Sequence, residues 1–411
     1  MAIQGLRATD DWQADQRPKD WLETILLLFP ATKQQAPLTA LRTVMSKKVA
    51  TDPEFNWFEK KFDDQRLALT ASITNVATAI PVVDGSGVRT GHLLYAEQTG
   101  EIMRLTADPV SPYTTVTVAR GQAGTAGTAI TFGGAGVNPN LLVIGTAHEE
   151  GSGAPSAISR NPIKRNNFTQ IFRNTLGMTR TAKQTRLRTG QQVAESKREC
   201  LEYHSVEMER GCIFGKKAED LAGTTPRRYT QGLLDFITLN TPADQIVDWL
   251  AETNQDMVTF ETILERMFRF GSTEKVAFCG TRALLTLQTL VRINTQYNIS
   301  AKEKEYGISV MRLDTPFGTL VIKRHPLFDR ITGGITAATP YFGMDSSMVI
   351  LDMASIKWRF LQGSDTQFES NLQANGLDGM LSGYLTEGGY EWHHPDTFGW
   401  IKKFTVAEKD A

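Results

Sequence analysis

Residues 181–219 read TAKQTRLRTGQQVAESKRECLEYHSVEMERGCIFGKKAE. No proline interrupts the stretch and most of its residues are strong helix formers, so one long helix is the simplest reading. Leu187, Val193, Leu201, His204, Met208 and Cys212 recur every three to four residues as a thin apolar stripe, while Arg198 and Glu202 pair across one turn on the wetter side. At 1.5 Å per residue such a helix runs on the order of 50 Å, which predicts a strut lying across the body of the molecule. The alternative is two helices broken at Gly190 or Gly211, each glycine costing about 1 kcal/mol relative to alanine in a helix interior.

Around this strut the composition is that of an ordinary globular chain: 411 residues, 41% hydrophobic, 22% charged, with a net charge of −1. Two or three domains fit this length, and the balanced charge implies no overall attraction to nucleic acid or to an anionic membrane. Cys200, Cys212 and Cys279 are an odd number without CxxC spacing, which points to a reducing compartment and away from a disulfide framework or a zinc site. The strongly apolar run at residues 25–29 is far short of a membrane span and is flanked by Asp20 and Glu23, so neither signal peptide nor anchor is expected.

On the N-terminal side, residues 1–65 carry Pro30, Pro37 and Pro53 and read as an extended arm. Trp21, Leu26, Leu27, Phe29, Phe55, Trp57 and Phe58 must be buried somewhere. A neighbouring surface is one place, and the arm's own body is an equal alternative. Residues 67–146 change to a Thr, Val, Ala and Gly texture with short alternations at 72–83, 92–95, 102–106 and 115–119, the pattern of a small all-β unit. Its glycines, Gly121 to Gly136, do not make a phosphate loop, because no helix opens behind them. Between Gly151 and Ala194 there is no acidic residue, but there are eight basic ones: Arg160, Lys164, Arg165, Arg173, Arg180, Lys183, Arg186 and Arg188. Lys183, Arg186 and Arg188 stand near the helix start, where the macrodipole disfavours cations, so phosphates or an acidic patch on an adjoining copy would account for them. A solvated basic face is the bland alternative.

Beyond the strut, Thr241 with Pro242 predicts a helix that buries Ile246, Val247, Trp249 and Leu250, and Thr259 predicts the cap of the next. Residues 275–279 read as a buried strand and 281–293 as a helix, so this region is a strand-and-helix layer domain. From Ile308 onward the strands at 308–313, 319–323, 348–351, 356–360, 390–392 and 398–401 predict a late antiparallel sheet beside the long helix.

Catalytic chemistry is not legible. GCIFGKK at residues 211–217 has the wrong spacing for a P-loop and ends a helix instead of opening one. His393 and His394 are adjacent and would face opposite ways in a strand, and neither HExxH nor GxSxG occurs. No catalytic, cofactor-binding or metal-ligating residue is therefore assigned.

The order of these pieces, arm, β-rich loop, long helix, α/β region and closing sheet, resembles that of the HK97-like major capsid proteins of tailed bacteriophages. APLTALRTVMSKKVATDPEFNWFEKKF (36–62) and TPRRYTQGLLDFI (225–237) are similar to the SU10-like capsid family, and GEIMRLTA (100–107) with TVTVARGQAGT (115–125) to a β module recurrent in such proteins. The resemblance implies an α+β fold. Its parts would be an N-arm (1–65), an E-loop with the β-rich module (66–165), a P-domain with the spine helix (166–238), an A-domain (239–345) and a P-domain sheet (346–411) whose last strand returns to the A-domain. It further implies a shell of pentamers and hexamers around double-stranded DNA, in a virion assembled in the host cytoplasm. The expected partners are copies of the chain, a portal protein, scaffold and decoration proteins and, non-specifically, packaged DNA, with no membrane and no cofactor. Trp21, Phe29, Phe55, Trp57, Arg227, Arg228, Glu199 and Glu202 are the candidate inter-subunit contacts. Arg180, Lys183, Arg186 and Arg188 are the candidate basic set, facing DNA or a neighbour. An encapsulin-type compartment enclosing cargo protein is the alternative within the fold.

Overall fold

The structure is a computed structural model that describes residues 45–61, 65–132, 140–185, 192–293, 303–305, 308–329 and 343–405. The chain divides into two compact units, Met1–Trp57 with Arg165–Ala411 and, separately, Phe58–Lys164. The described part of the larger unit starts with β1 (Ser46–Ala50), and β2 (Glu54–Glu59) leads out of it.

The smaller unit contains β3 (Arg66–Ala68), β4 (Ala79–Pro81), β5 (His92–Ala96), β6 (Ile102–Leu105), β7 (Thr115–Ala119) and β8 (Asn140–Thr146). They form an antiparallel sheet in the order β3-β8-β5-β6-β7-β4. Thr70 N then donates to Pro81 O (3.2 Å) and Val83 N to Ala68 O (2.9 Å), which joins β4 back to β3 and closes a small barrel. Alternation puts Ile80, Leu94, Met103, Leu105, Val116 and Leu141 inside, each fully buried. Its keystone is an ion pair: Arg120 Nε and Nη2 each donate to the Glu101 carboxylate at 2.6 Å. Gly121 N (3.1 Å) and Thr128 N (3.0 Å) donate to the same carboxylate. The anion held by the amides of this glycine-rich loop is thus the protein's own Glu101. Burial would push that carboxyl up, but the bonds from Arg120, Thr128 and Gly121 outweigh it and hold it below the usual range.

β9 (Ile163–Phe168) leads back into the larger unit and β10 (Gln170–Thr179) runs into the stretch quoted first. Instead of one helix there are two: α1 (Arg180–Gln184) and α2 (Gln192–Phe214). Thr179 caps α1, which stops at Thr185 in an extended conformation. Gly190 lies outside the described residues; Gly211 is inside α2. A Cβ at Gly211 would stand 2.8 Å from Phe172 Cε1, so the glycine lets β10 approach the helix closely. The 23 residues of α2 span about 35 Å. Its buried stripe is Cys200, His204, Met208, Cys212 and Ile213 with Glu209: His204, Met208 and Cys212 lie on the expected line, and Cys200 takes the place of Leu201, which is 38% exposed.

The remaining elements are β11 (Ala218–Asp220), β12 (Arg227–Tyr229), α3 (Leu233–Asn240), β13 (Ile246–Asp248), α4 (Met257–Phe268), β14 (Glu274–Cys279), α5 (Thr281–Ile293), β15 (Glu303–Glu305), β16 (Ile308–Thr315), β17 (Gly318–Arg324), β18 (Met348–Leu351), β19 (Ile356–Leu361), β20 (Gln367–Glu369), β21 (Gly379–Trp392) and β22 (Gly399–Lys402). The late strands do not make one sheet. A mixed seven-stranded sheet runs β13-β22-β18-β14-β17-β16-β15, and a five-stranded sheet runs β1-β19-β21-β10 with β20 beside β21. β18 reads MVIL and is buried at all four positions because the first sheet is covered on both faces. Met348 and Ile350, with Ala277 and Cys279, pack under α4 and α5. Val349, Leu351 and Phe278 pack against α3, Ile213 of α2 and the aromatic row Trp358, Tyr390 and Trp392 of the second sheet.

Three local expectations are corrected. Residues 242–251 are not a helix but two short 3-10 turns around β13, because pairing with β22 satisfies that backbone. Asp256, not Thr259, caps α4, accepting from Thr259 N at 2.8 Å. β21 begins at Gly379, well before Tyr390, and its glycines permit contact: a Cβ at Gly388 would meet Trp358 Cζ2 at 2.5 Å, and one at Gly383 would meet Asn174 O at 2.6 Å.

Candidate assembly surfaces

The arm strand is the first site to place. In β2, Phe55 and Trp57 are buried (5% and 7% exposed) and stack at 6.1 Å between ring centres. The Arg359 guanidinium lies over Phe55 (5.8 Å), and His393 lies 5.8 Å from Trp57. Glu391 holds both of these groups, with Arg359 Nε donating to Oε2 and His393 Nε2 2.8 Å from Oε1. Burial alone would raise the Glu391 carboxyl, but His393 and Arg359 reverse the shift and keep it ionised. Phe55 and Trp57 are thus anchors of the arm on its own chain, which corrects their assignment as inter-subunit contacts. The physical reason is strand alternation: β2 turns both aromatics inward and leaves Phe58 67% exposed. Trp21 and Phe29 lie outside the described residues.

Part of the basic segment is engaged within the chain. Arg165 Nη1 donates to Asn240 and its guanidinium lies over Phe236 (5.8 Å); Arg173 pairs with Glu369 (3.3 Å) and Arg180 with Asp378 (3.1 Å). These acids come from residues 369–378, so segment-wise charge counting could not see them. Lys183 on α1 is exposed, whereas Arg186 and Arg188 lie outside the described residues.

Two other surfaces carry the remaining candidates. On α2, Arg198 bridges Glu195 (3.8 Å) and Glu202 (3.9 Å), so Glu202 is spoken for within its own helix. Glu199 is exposed, and one turn on stands Tyr203, 66% exposed. Past the end of the helix, β11 and β12 form a hairpin in which Arg228 Nε donates to Glu219 at 2.9 Å. Arg227 on the same hairpin is exposed, beside Tyr229 (42%) and Leu221 (69%). Tyr203, Leu221 and Tyr229 were not singled out from sequence. The available signal was their position: Tyr203 is four residues from Glu199, and Tyr229 is two from Arg227.

Polar groups that hold this scaffold were also missed. Lys275 is fully buried, and its Nζ donates to the carbonyls of Met267 (2.6 Å), Phe270 (2.9 Å) and Thr397 (2.7 Å). Burial lowers its pKa to about 8, partly offset by Asp352. Glu209 of α2 and His325 meet at 2.8 Å with neither exposed, tying the helix to the loop after β17. His204 bonds Asn174 Oδ1 and Thr386 Oγ1, both at 2.7 Å, tying α2 to its sheet. Among the described residues no group of three or more His, Cys, Asp or Glu could hold a metal ion, and no helix is long and apolar enough to cross a membrane.

Comparison with known proteins gives these surfaces their context. The family described as SU10 major capsid protein matches residues 9–405. The chain belongs to that family. Its relatives include the major capsid protein of Pseudomonas phage PaMx41, 31% identical over 367 residues that cover 87% of this chain and 82% of that protein. The solved structures similar to this SU10-family chain include the capsid of an empty GTA particle computed with C5 symmetry, 9% identical, covering 98% of this chain and 100% of that one at a TM-score of 0.49. Another is the holo-SrpI encapsulin complex from Synechococcus elongatus PCC 7942, 11% identical, covering 61% and 79% at a TM-score of 0.42. With TM-scores this low, family membership rests on the sequence match.

Proposed function

We propose that the chain is the repeating subunit of an icosahedral phage head, with copies gathering into pentamers and hexamers that close around double-stranded DNA. The observation that carries this reading is the family match over residues 9–405. In an HK97-like arrangement, residues 1–65 serve as the arm, the barrel sits in the E-loop, α2 is the spine of the P-domain and the seven-stranded sheet is the core of the A-domain. The exposed Glu199, Arg227 and Lys183 suit a subunit whose charges are completed by neighbours or by DNA. A head of this kind would also meet a portal protein and, where assembly requires them, scaffold and decoration proteins. Expressed in its host, the protein is expected to form closed particles in negative-stain micrographs that protect DNA from nuclease. Closed particles holding protein cargo without DNA would favour the encapsulin-type compartment instead. A solitary monomer at high concentration would overturn both.

A further inference from the structure

Resting on the shell-subunit reading, we propose that the β11–β12 hairpin of one copy docks on the outward face of α2 of the next, with Arg227 opposite Glu199 and Tyr229 and Leu221 against Tyr203. Among the described residues neither Arg227 nor Glu199 has an ion-pair partner, whereas nearby Arg228, Arg198 and Glu202 are paired within the chain. Each patch joins one free charge to exposed apolar surface: Leu221 (69%) and Tyr229 (42%) on the hairpin, Tyr203 (66%) on the helix. Their charges are opposite, so each patch is a fitting partner for the other and would repel a copy of itself.

Among the described residues Arg227 and Glu199 form no ion pair with each other, and Glu199 stands about 22 Å along α2 before the helix end at Phe214, beyond which the hairpin lies. The proposed contact is between copies and heterologous, hairpin to helix, the kind that closes into rings when repeated by rotation. An exposed charge pair alone contributes little, so burial of the tyrosines and Leu221 supplies affinity while the charges fix register.

The test is reciprocal charge exchange in the full chain, read by particle yield on a sucrose gradient. Arg227→Glu and Glu199→Arg are each expected to cut particle yield at least tenfold while leaving the thermal transition of the free subunit unchanged. The double exchange is expected to restore yield to within about threefold of the parent. Either single variant assembling at parental yield would overturn the contact, as would a double exchange no better than the singles. In both cases particles from the parental chain keep the shell reading intact, and only their absence counts against that reading.

Discussion

Lys275 shows how one residue can decide the end of a helix. Its three ammonium protons meet three carbonyls, two of which, Met267 and Phe270, belong to the last turn of α4 and the residues that follow it. Carbonyls at a helix end have no partner inside the helix, and burying them bare is costly. Lys275→Met keeps the side-chain bulk and removes the donors, so we expect a loss of about 1–3 kcal/mol in chemical unfolding at pH 7. The pH dependence follows from the shift. The folded-state pKa, about 8, lies below the ordinary 10.5, so across that window the unfolded chain binds the proton more tightly. Stability from this group therefore rises with pH between about 8 and 10.5, and the parental advantage over Lys275→Met widens there. A gap that narrows over that range would contradict the assignment. A lysine in a strand carries no sequence signal for such a role, since its acceptors are 5 to 122 residues away.

For elements, the lesson is in the glycines of packed surfaces. Alanine is favoured over glycine in a helix by about 1 kcal/mol, and local propensity alone would make Gly211→Ala stabilising. In the folded chain the new methyl would collide with Phe172, so the substitution is expected to lower stability by about 1–3 kcal/mol in thermal or urea unfolding. Combined with Phe172→Ala it should cost much less than the sum of the single effects, because the collision is gone. Additive losses would place the role of Gly211 elsewhere. The same packing made β21 hard to read: its glycines weaken strand propensity but admit Trp358 and β10. α5 and β18, by contrast, matched expectation to the residue, since 281–293 and 348–351 are apolar in a pattern that their own burial explains.

At the scale of the whole molecule, the barrel is a folding unit of its own. Its closed strand order, its apolar core and its buried ion pair are formed among its own described residues. Residues 66–146 expressed alone are expected to melt cooperatively and to give dispersed amide resonances. Because Glu101 is held below its usual range, its contribution is present above the unfolded carboxylate range and is lost as pH falls through its folded value. The isolated barrel should thus lose stability on acidification, and Glu101→Gln should flatten that loss. A broad, uncooperative melt would mean that the larger unit supplies part of the core.

The sequence by itself determined the order of β module, helix and layered domain, because apolar periodicity, glycine and proline act over a few residues. It also marked the family, through short stretches at 36–62, 100–125 and 225–237. Only the tertiary structure decided which charges remain available. Arg180 and Arg173 are matched by acids about two hundred residues away, and Phe55 and Trp57 are met by Arg359 and His393, more than three hundred residues further along the chain. Pairing and covering depend on distances in space, and these come from the packing of remote elements.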